Sequence, residues 1–413
     1  MRRRTTRARR WRAAARAAAA VFLAALAVAA AFPGAAIPET MPWAAQPAPA
    51  ENPPDPIEPL HVRPLAGIAP GRNDSNPVWS PDGSLVAFER TRGTGKEIVI
   101  VRPDGTVVDT IDHRAEEGGE RPFLLPDDSG ETSYNAGISW SPSGKRFVFM
   151  SNGGERNYDL FLRGLGGAVT MRLTDHKEKD GHAHWSPAAD NLVVFVSGRT
   201  GKGDLYVMDV STRTTARLTQ GGKANLYPRW SPDGKKIAAT HGSNENHDIF
   251  VITAAGLTGG REPGRTLASW PWDDIRPVWS PDGTKIAFYS NYNPAGDPKV
   301  WSILVVASDG TDPREGEGLA ARVAAEDVIP DVETGPAWMP DSAGIAYVKN
   351  DPHEYNPIYI VDFKSGTERA VRTETKMNHD LACSPDGLLA FRAQVDQWDH
   401  MFIAVLKKKA PYQ

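Results

Sequence analysis

The chain has 413 residues, 40% hydrophobic and 24% charged, with 38 glycines, 34 prolines and a single cysteine. That is globular composition rich in turn-forming residues, and one cysteine excludes an internal disulfide framework or a multi-cysteine metal site. The net charge is −4, and because residues 1–36 hold eight arginines and no acid, the remainder carries −12; so acidic a body argues against nucleic acid or an anionic membrane as the main partner.

The N-terminus reads as an export signal over residues 1–36. A basic stretch, MRRRTTRARRWRAAAR, precedes a sixteen-residue apolar run, Ala17 to Phe32, and small residues follow. The run is short of the roughly 20 residues that span a bilayer, so stable membrane insertion is expected only if the signal stays uncleaved. Cleavage points lie after Ala36 or Ala50, and Arg9-Arg10-Trp11 leaves twin-arginine and general export both open. Residues 37–59 form a Pro-rich tether. The expected location is therefore the periplasm, the exterior or the cell envelope.

From residue 60 onwards one pattern recurs. Its copies are anchored at Trp79, Trp140, Trp185, Trp230, Trp279, Trp338 and Cys383, at intervals of 61, 45, 45, 49, 59 and 45 residues. In the fourth copy, Leu226–Trp230 reads as a strand, Ser231-Pro232-Asp233-Gly234 as a turn, and KIAAT and DIFVI as two further strands. Leu173, Leu218, Leu267 and Val371 stand twelve residues before the next anchor and mark a fourth strand. Four-stranded units at this period predict an all-β, seven-bladed propeller over residues 60–413. The last unit lacks its own fourth strand, and the LHVRP stretch near residue 60 is expected to supply it and close the ring. Six blades plus an irregular segment is the alternative.

The motif PxWSPDGxxIAF followed by D(I/L)(Y/F)V resembles the TolB-like propeller repeat, a relative of the WD repeat, over roughly residues 60–410. The family's namesake is a periplasmic protein-binding component with an α/β domain before its propeller; this chain is expected to lack that domain. The resemblance implies a non-enzymatic binder of a protein or peptide of the envelope, or of a glycan, acting as a monomer without a cofactor.

Two positions of the repeat carry the candidate site. Five residues before each anchor stand Asp74, Asn135, Asp180, Asn225, Asp274, Glu333 and Asn378, all acidic or amide. They read either as turn caps or as an electronegative ring at one mouth of the central channel. Three residues before each anchor the pattern breaks into Asn76, Gly137, His182, Tyr227, Arg276, Gly335 and Asp380, the places where a symmetric scaffold is free to carry ligand contacts. Trp270 and Trp272 in SWPWDD are further recognition candidates.

No G-x-S-x-G elbow, P-loop or H-E-x-x-H motif occurs. Propeller lyases acting on acidic sugars, such as oligogalacturonate lyases, hold a divalent metal through channel histidines. His182, His184, His241 and His379 keep a metal-dependent, carbohydrate-active reading open, with His182 and His184 on one strand face. A structural platform using blade edges and the insertions at 112–133 and 311–333 is the third reading.

Overall fold

The structure, a computed structural model, describes residues 54–92, 95–111, 135–152, 157–167, 169–220, 224–243, 246–254, 264–268, 272–292, 300–310, 321–331, 333–351 and 355–406. The export signal and most of the tether lie outside these, as do Trp270 and residues 112–134.

Seven antiparallel sheets of four strands each form a propeller. The innermost strands are Arg72–Trp79, Asn135–Trp140, Asp180–Trp185, Ala224–Trp230, Asp274–Trp279, Ala337–Trp338 and Lys376–Cys383, which number blades 1 to 7. Blade 7 is completed by His61–Pro64, paired antiparallel with Trp398–Val405 from His61 opposite Val405 to Pro64 opposite Phe402. The strand near residue 60 thus closes the ring, and the six-bladed alternative is set aside. Part of the expected 311–333 insertion is sheet: Ala321–Val328 is the outer strand of blade 5.

The SPDG turns fold for a local reason. In blade 1 the Ser80 hydroxyl donates to Asp82 Oδ1 at 2.6 Å and accepts the Leu85 N–H at 3.0 Å. The Gly83 N–H closes back on the Ser80 carbonyl, with Gly83 at φ +72°. The same serine–aspartate bond recurs at Ser231–Asp233, Ser280–Asp282 and Ser384–Asp386.

The anchor tryptophans bind blade to blade. Trp79 Nε1 donates to the Ala382 carbonyl of blade 7, Trp230 to that of His184 in blade 3, Trp279 to Arg229 in blade 4 and Trp338 to Val278 in blade 5, at 3.0, 3.1, 3.0 and 3.0 Å. Trp140 reaches the Val78 carbonyl at 3.4 Å. In each case the acceptor is the residue just before the neighbouring blade's own anchor. Trp185 is the exception: its indole donates to the Ala189 carbonyl in its own turn, while its backbone N–H donates to the Ser139 hydroxyl of blade 2. The apolar clusters likewise span two neighbouring blades, as where Val148 and Leu160 of blade 2 meet Trp185 and Phe195 of blade 3.

Trp230→Ala removes both this packing and the bond to the His184 carbonyl, and it should lower the unfolding free energy by about 3–5 kcal/mol. Urea denaturation checks it; a loss within the range of surface substitutions would show that the anchors do not hold the blades together.

Candidate functional site

The position three residues before each anchor shares one backbone state. Asn76, His182, Tyr227, Arg276 and Asp380 have φ of 55°, 50°, 53°, 60° and 49°, and the blades with glycine there, Gly137 and Gly335, have 66° and 84°. In the ladders this is a bulge: register shifts fall between Ser75 and Val78, Gly181 and His184, Leu226 and Arg229, and Ile275 and Val278. Asparagine and aspartate accept the left-handed region readily, but histidine, tyrosine and arginine are held there at a cost of order 1 kcal/mol or more each. The bulge re-aims these side chains towards the channel.

A cavity of about 470 Å³ occupies that channel. Its wall has two tiers. The bulge position contributes Asn76, Gly137, His182, Tyr227 and Arg276, and the residue just before each anchor contributes Val78, Ser139, His184 and Arg229, among others. Glu333 and Thr334 complete it from blade 6, and Glu89 from blade 1.

The charges separate by side. On blades 7 and 1, Asp380 pairs with Arg392 at 2.9 Å and accepts the Asn76 N–H at 3.3 Å. Asn76 Nδ2 donates to Glu89 at 2.9 Å, which also holds Lys96 at 2.6 Å and the Gly137 N–H at 3.0 Å. Burial, reinforced by Asp331, pushes Asp380 up to about 7. On blades 3 to 5, His182 stands edge-on to Tyr227 with ring centres 4.6 Å apart. The Arg276 guanidinium lies 3.2 Å from the Tyr227 ring centre and donates to the Glu333 carbonyl at 2.9 Å. Burial, with Arg276 and Arg229 nearby, lowers His182 to about 3, so it is neutral at neutral pH. Burial, then Arg276, brings Arg229 down to about 10.

The acidic and amide position five before the anchor takes another place. Asp74, Asp180, Asn225, Asp274 and Asn378 are all at most 1% exposed, so they do not form an open ring at a channel mouth. Asp74 grips Arg90 at 2.7 and 3.0 Å, and Asp180 pairs with Arg199 at 3.2 Å. Asn225 donates to the Gly203 carbonyl, and Asn378 to that of Asn356, both at 2.9 Å. Among the described side chains at this position only Glu333 opens into the cavity, half exposed and 3.6 Å from Arg276. Asp274 is the odd member: no donor meets either of its carboxylate oxygens with hydrogen-bond geometry. Burial raises it to about 8 with smaller contributions from Asp248 and Asp273, outweighing the nearby Ser290 hydroxyl, whose opposing effect exceeds that of either acid. Trp272 lies outside the cavity wall, edge-on to Tyr292 at 4.8 Å.

The four histidines do not assemble. His184 Nδ1 accepts the Trp230 N–H at 3.2 Å, His241 bonds Asn225 at 2.9 Å, and His379 meets Asn356 at 3.3 Å. Among the described residues no three histidine, cysteine or carboxylate side chains come together as metal ligands, and His182 sits beside two arginines that repel a cation. The donor set does not fit a divalent metal.

Glu89 and Arg229 are site residues the repeat pattern did not single out. The signal for Arg229 was present, because the position before the anchor also refuses to repeat: Val78, Ser139, His184, Arg229, Val278, Ala337, Ala382.

Residues 129–263 match the TolB beta propeller domain model. These repeats are TolB-like. Two solved structures share the fold, and a third is a weaker match. An oligogalacturonate lyase in complex with manganese is 15% identical, with 86% of this chain and 96% of that one covered at a TM-score of 0.61. The oligogalacturonate lyase of Vibrio parahaemolyticus is 13% identical, covering 84% and 94% at 0.59. TolB from Acinetobacter baumannii is 16% identical, covering 76% and 67% at 0.48. No curated protein sequence matches the chain.

Because Asp274 is raised in the folded state, its contribution is fully present below its unfolded value near 4 and is lost as pH climbs to about 8. The penalty grows by about 1.4 kcal/mol per pH unit over that window. Asp274→Asn should therefore be more stable than wild type at pH 8, with the difference vanishing towards pH 4 in chemical denaturation run at both.

Proposed function

We propose that this is an exported, non-enzymatic propeller that binds a protein or peptide of the cell envelope in its central channel. The observation that carries the reading is the bulge ring: seven blades share a left-handed backbone position, and five of them use it to present five different polar or aromatic side chains, three of them at a cost in strain. A scaffold without a ligand has no need to hold His182, Tyr227 and Arg276 in that region. The TolB-like repeats support the reading, because the family's namesake binds proteins, and the basic and apolar N-terminus supports export. No described helix is long and apolar enough to cross a membrane.

Since Asp180 and Asp274 are buried within the blades, the channel is tested through its wall. Envelope components captured by the wild-type protein should be lost from an Asn76→Ala/Tyr227→Ala/Glu333→Ala variant that still melts cooperatively. Retention by the folded variant would move the binding surface to the blade edges. The lyase reading predicts a metal requirement instead; on the binding reading, a chelator leaves the melting temperature unchanged in a thermal scan.

A further inference from the structure

Several of the propeller's buried or half-buried arginines are matched with carboxylates: Arg90 with Asp74, Arg199 with Asp180, Arg217 with Asp204 and Arg392 with Asp380, at 2.7, 3.2, 2.6 and 2.9 Å. Arg229 makes no ion pair among the described residues, although it lines the channel cavity beside a second arginine. That second one, Arg276, is 5% exposed, and its Nε is buried without a hydrogen-bond partner. Its contact with the Glu333 carboxylate is long, at 3.6 Å. The Asp331 carboxylate nearby is engaged by the N–H groups of Glu333 and Thr334 and by the Thr334 hydroxyl. Two guanidinium groups therefore line one cavity, with the half-exposed Glu333 and the more buried Asp331 as the carboxylates that act on both.

We propose that Arg229 and Arg276 form a subsite that takes a carboxylate of the bound peptide, either an acidic side chain or the C-terminus. This rests on the channel-binding reading above. The charge balance favours the smaller anion: Glu333 and Asp331 both act on Arg229 and Arg276, so the four groups are close to neutral, and the neutral His182 adds none. A monoanion then leaves one uncompensated charge and a phosphate dianion two. The planar fork of a guanidinium matches a carboxylate with two parallel hydrogen bonds. Tyr227, stacked under Arg276, holds that fork in place, and a ring and a histidine beside it suit the carbon skeleton that carries the acid.

The test is thermal melting with acetyl-glutamate N-methylamide, acetyl-glycyl-alanine and the neutral acetyl-glutamine N-methylamide, at matched ionic strength. A carboxylate ligand at ten times its Kd should raise the melting temperature of the wild-type protein by about 2 °C. The neutral amide should not. Whichever acid acts tells side chain from C-terminus. Arg229→Met keeps the apolar stem and removes the fork; it should melt no lower than wild type without ligand and lose the carboxylate shift, while Arg229→Lys keeps only part of it. No shift in wild type, an equal shift with the neutral amide, a shift that survives in Arg229→Met, or a destabilised Arg229→Met would each overturn the subsite. If envelope capture persists while the carboxylate shift is absent, only the subsite falls. If the shift is present and capture fails, the channel is a receptor for small acids and the protein-binding reading falls.

Discussion

Five of the seven blade joints rest on a hydrogen bond from an anchor indole to the carbonyl just before the preceding blade's anchor. That bond ties blade 4 to blade 3 through Trp230 and His184, and blade 5 to blade 4 through Trp279 and Arg229. The residue that gives its carbonyl to the neighbouring blade turns its side chain to the channel. Blade packing and channel lining are thus set by the same peptide unit. Because the latch uses a backbone acceptor, it is indifferent to the side chain there, which leaves Val78, His184 and Arg229 free to differ. Ring closure carries the scaffold, and the channel varies at little cost to it.

The bulge two residues earlier extends this freedom. With a plain ladder, a side chain at that position would alternate into or out of the sheet faces; with the left-handed residue it leaves the ladder. Two blades satisfy the geometry with glycine, two with asparagine or aspartate, and three with residues that resist it. The costly choices fall together on blades 3, 4 and 5, where the cationic and aromatic side of the cavity lies. The cheap ones fall on blades 1, 2, 6 and 7. Strain and chemistry are co-located, as expected when the conformation is kept for what the side chain does.

The propeller, its seven blades and its closing strand were legible in the sequence, because each rests on local rules: turn chemistry, alternating apolar residues and a fixed period. The bulge position was legible too, as the place where the repeat breaks, though its shared backbone was not, since glycine beside arginine or tyrosine gives no common propensity. The acidic position misled. Asp74 and Asp180 looked like a mouth because they recur, yet recurrence reflects a repeated burial: each meets an arginine, Arg90 or Arg199, that lies 16 or 19 residues further on and belongs to no shared motif. Glu89 was hidden for the converse reason, as it sits in the second strand and reaches the channel only through the fold.

Asp274 shows what happens when the pairing logic lapses at one blade. In blades 2 and 3 the third strand opens with Asp159 and Asp204, each held by an arginine of the outer strand, Arg172 or Arg217. These arginines lie opposite Phe161 and Tyr206; the equivalent partner of Phe250 in blade 4 is Thr266. With no guanidinium there, Asp248 keeps one buried oxygen unpartnered, and Asp274 of the next blade faces it uncompensated. The cheapest remedy for a buried carboxylate without a cation is a proton, and that is the state Asp274 takes. The interface between blades 4 and 5 is therefore one where neutral pH works against the fold, and those two blades supply Arg229 and Arg276. An acidic protein that leaves arginines unmatched in its channel and acids unmatched behind it has not distributed its charges for stability alone. Moving Arg229 into a pair with Asp248 would relieve both defects, and the sequence keeps them apart.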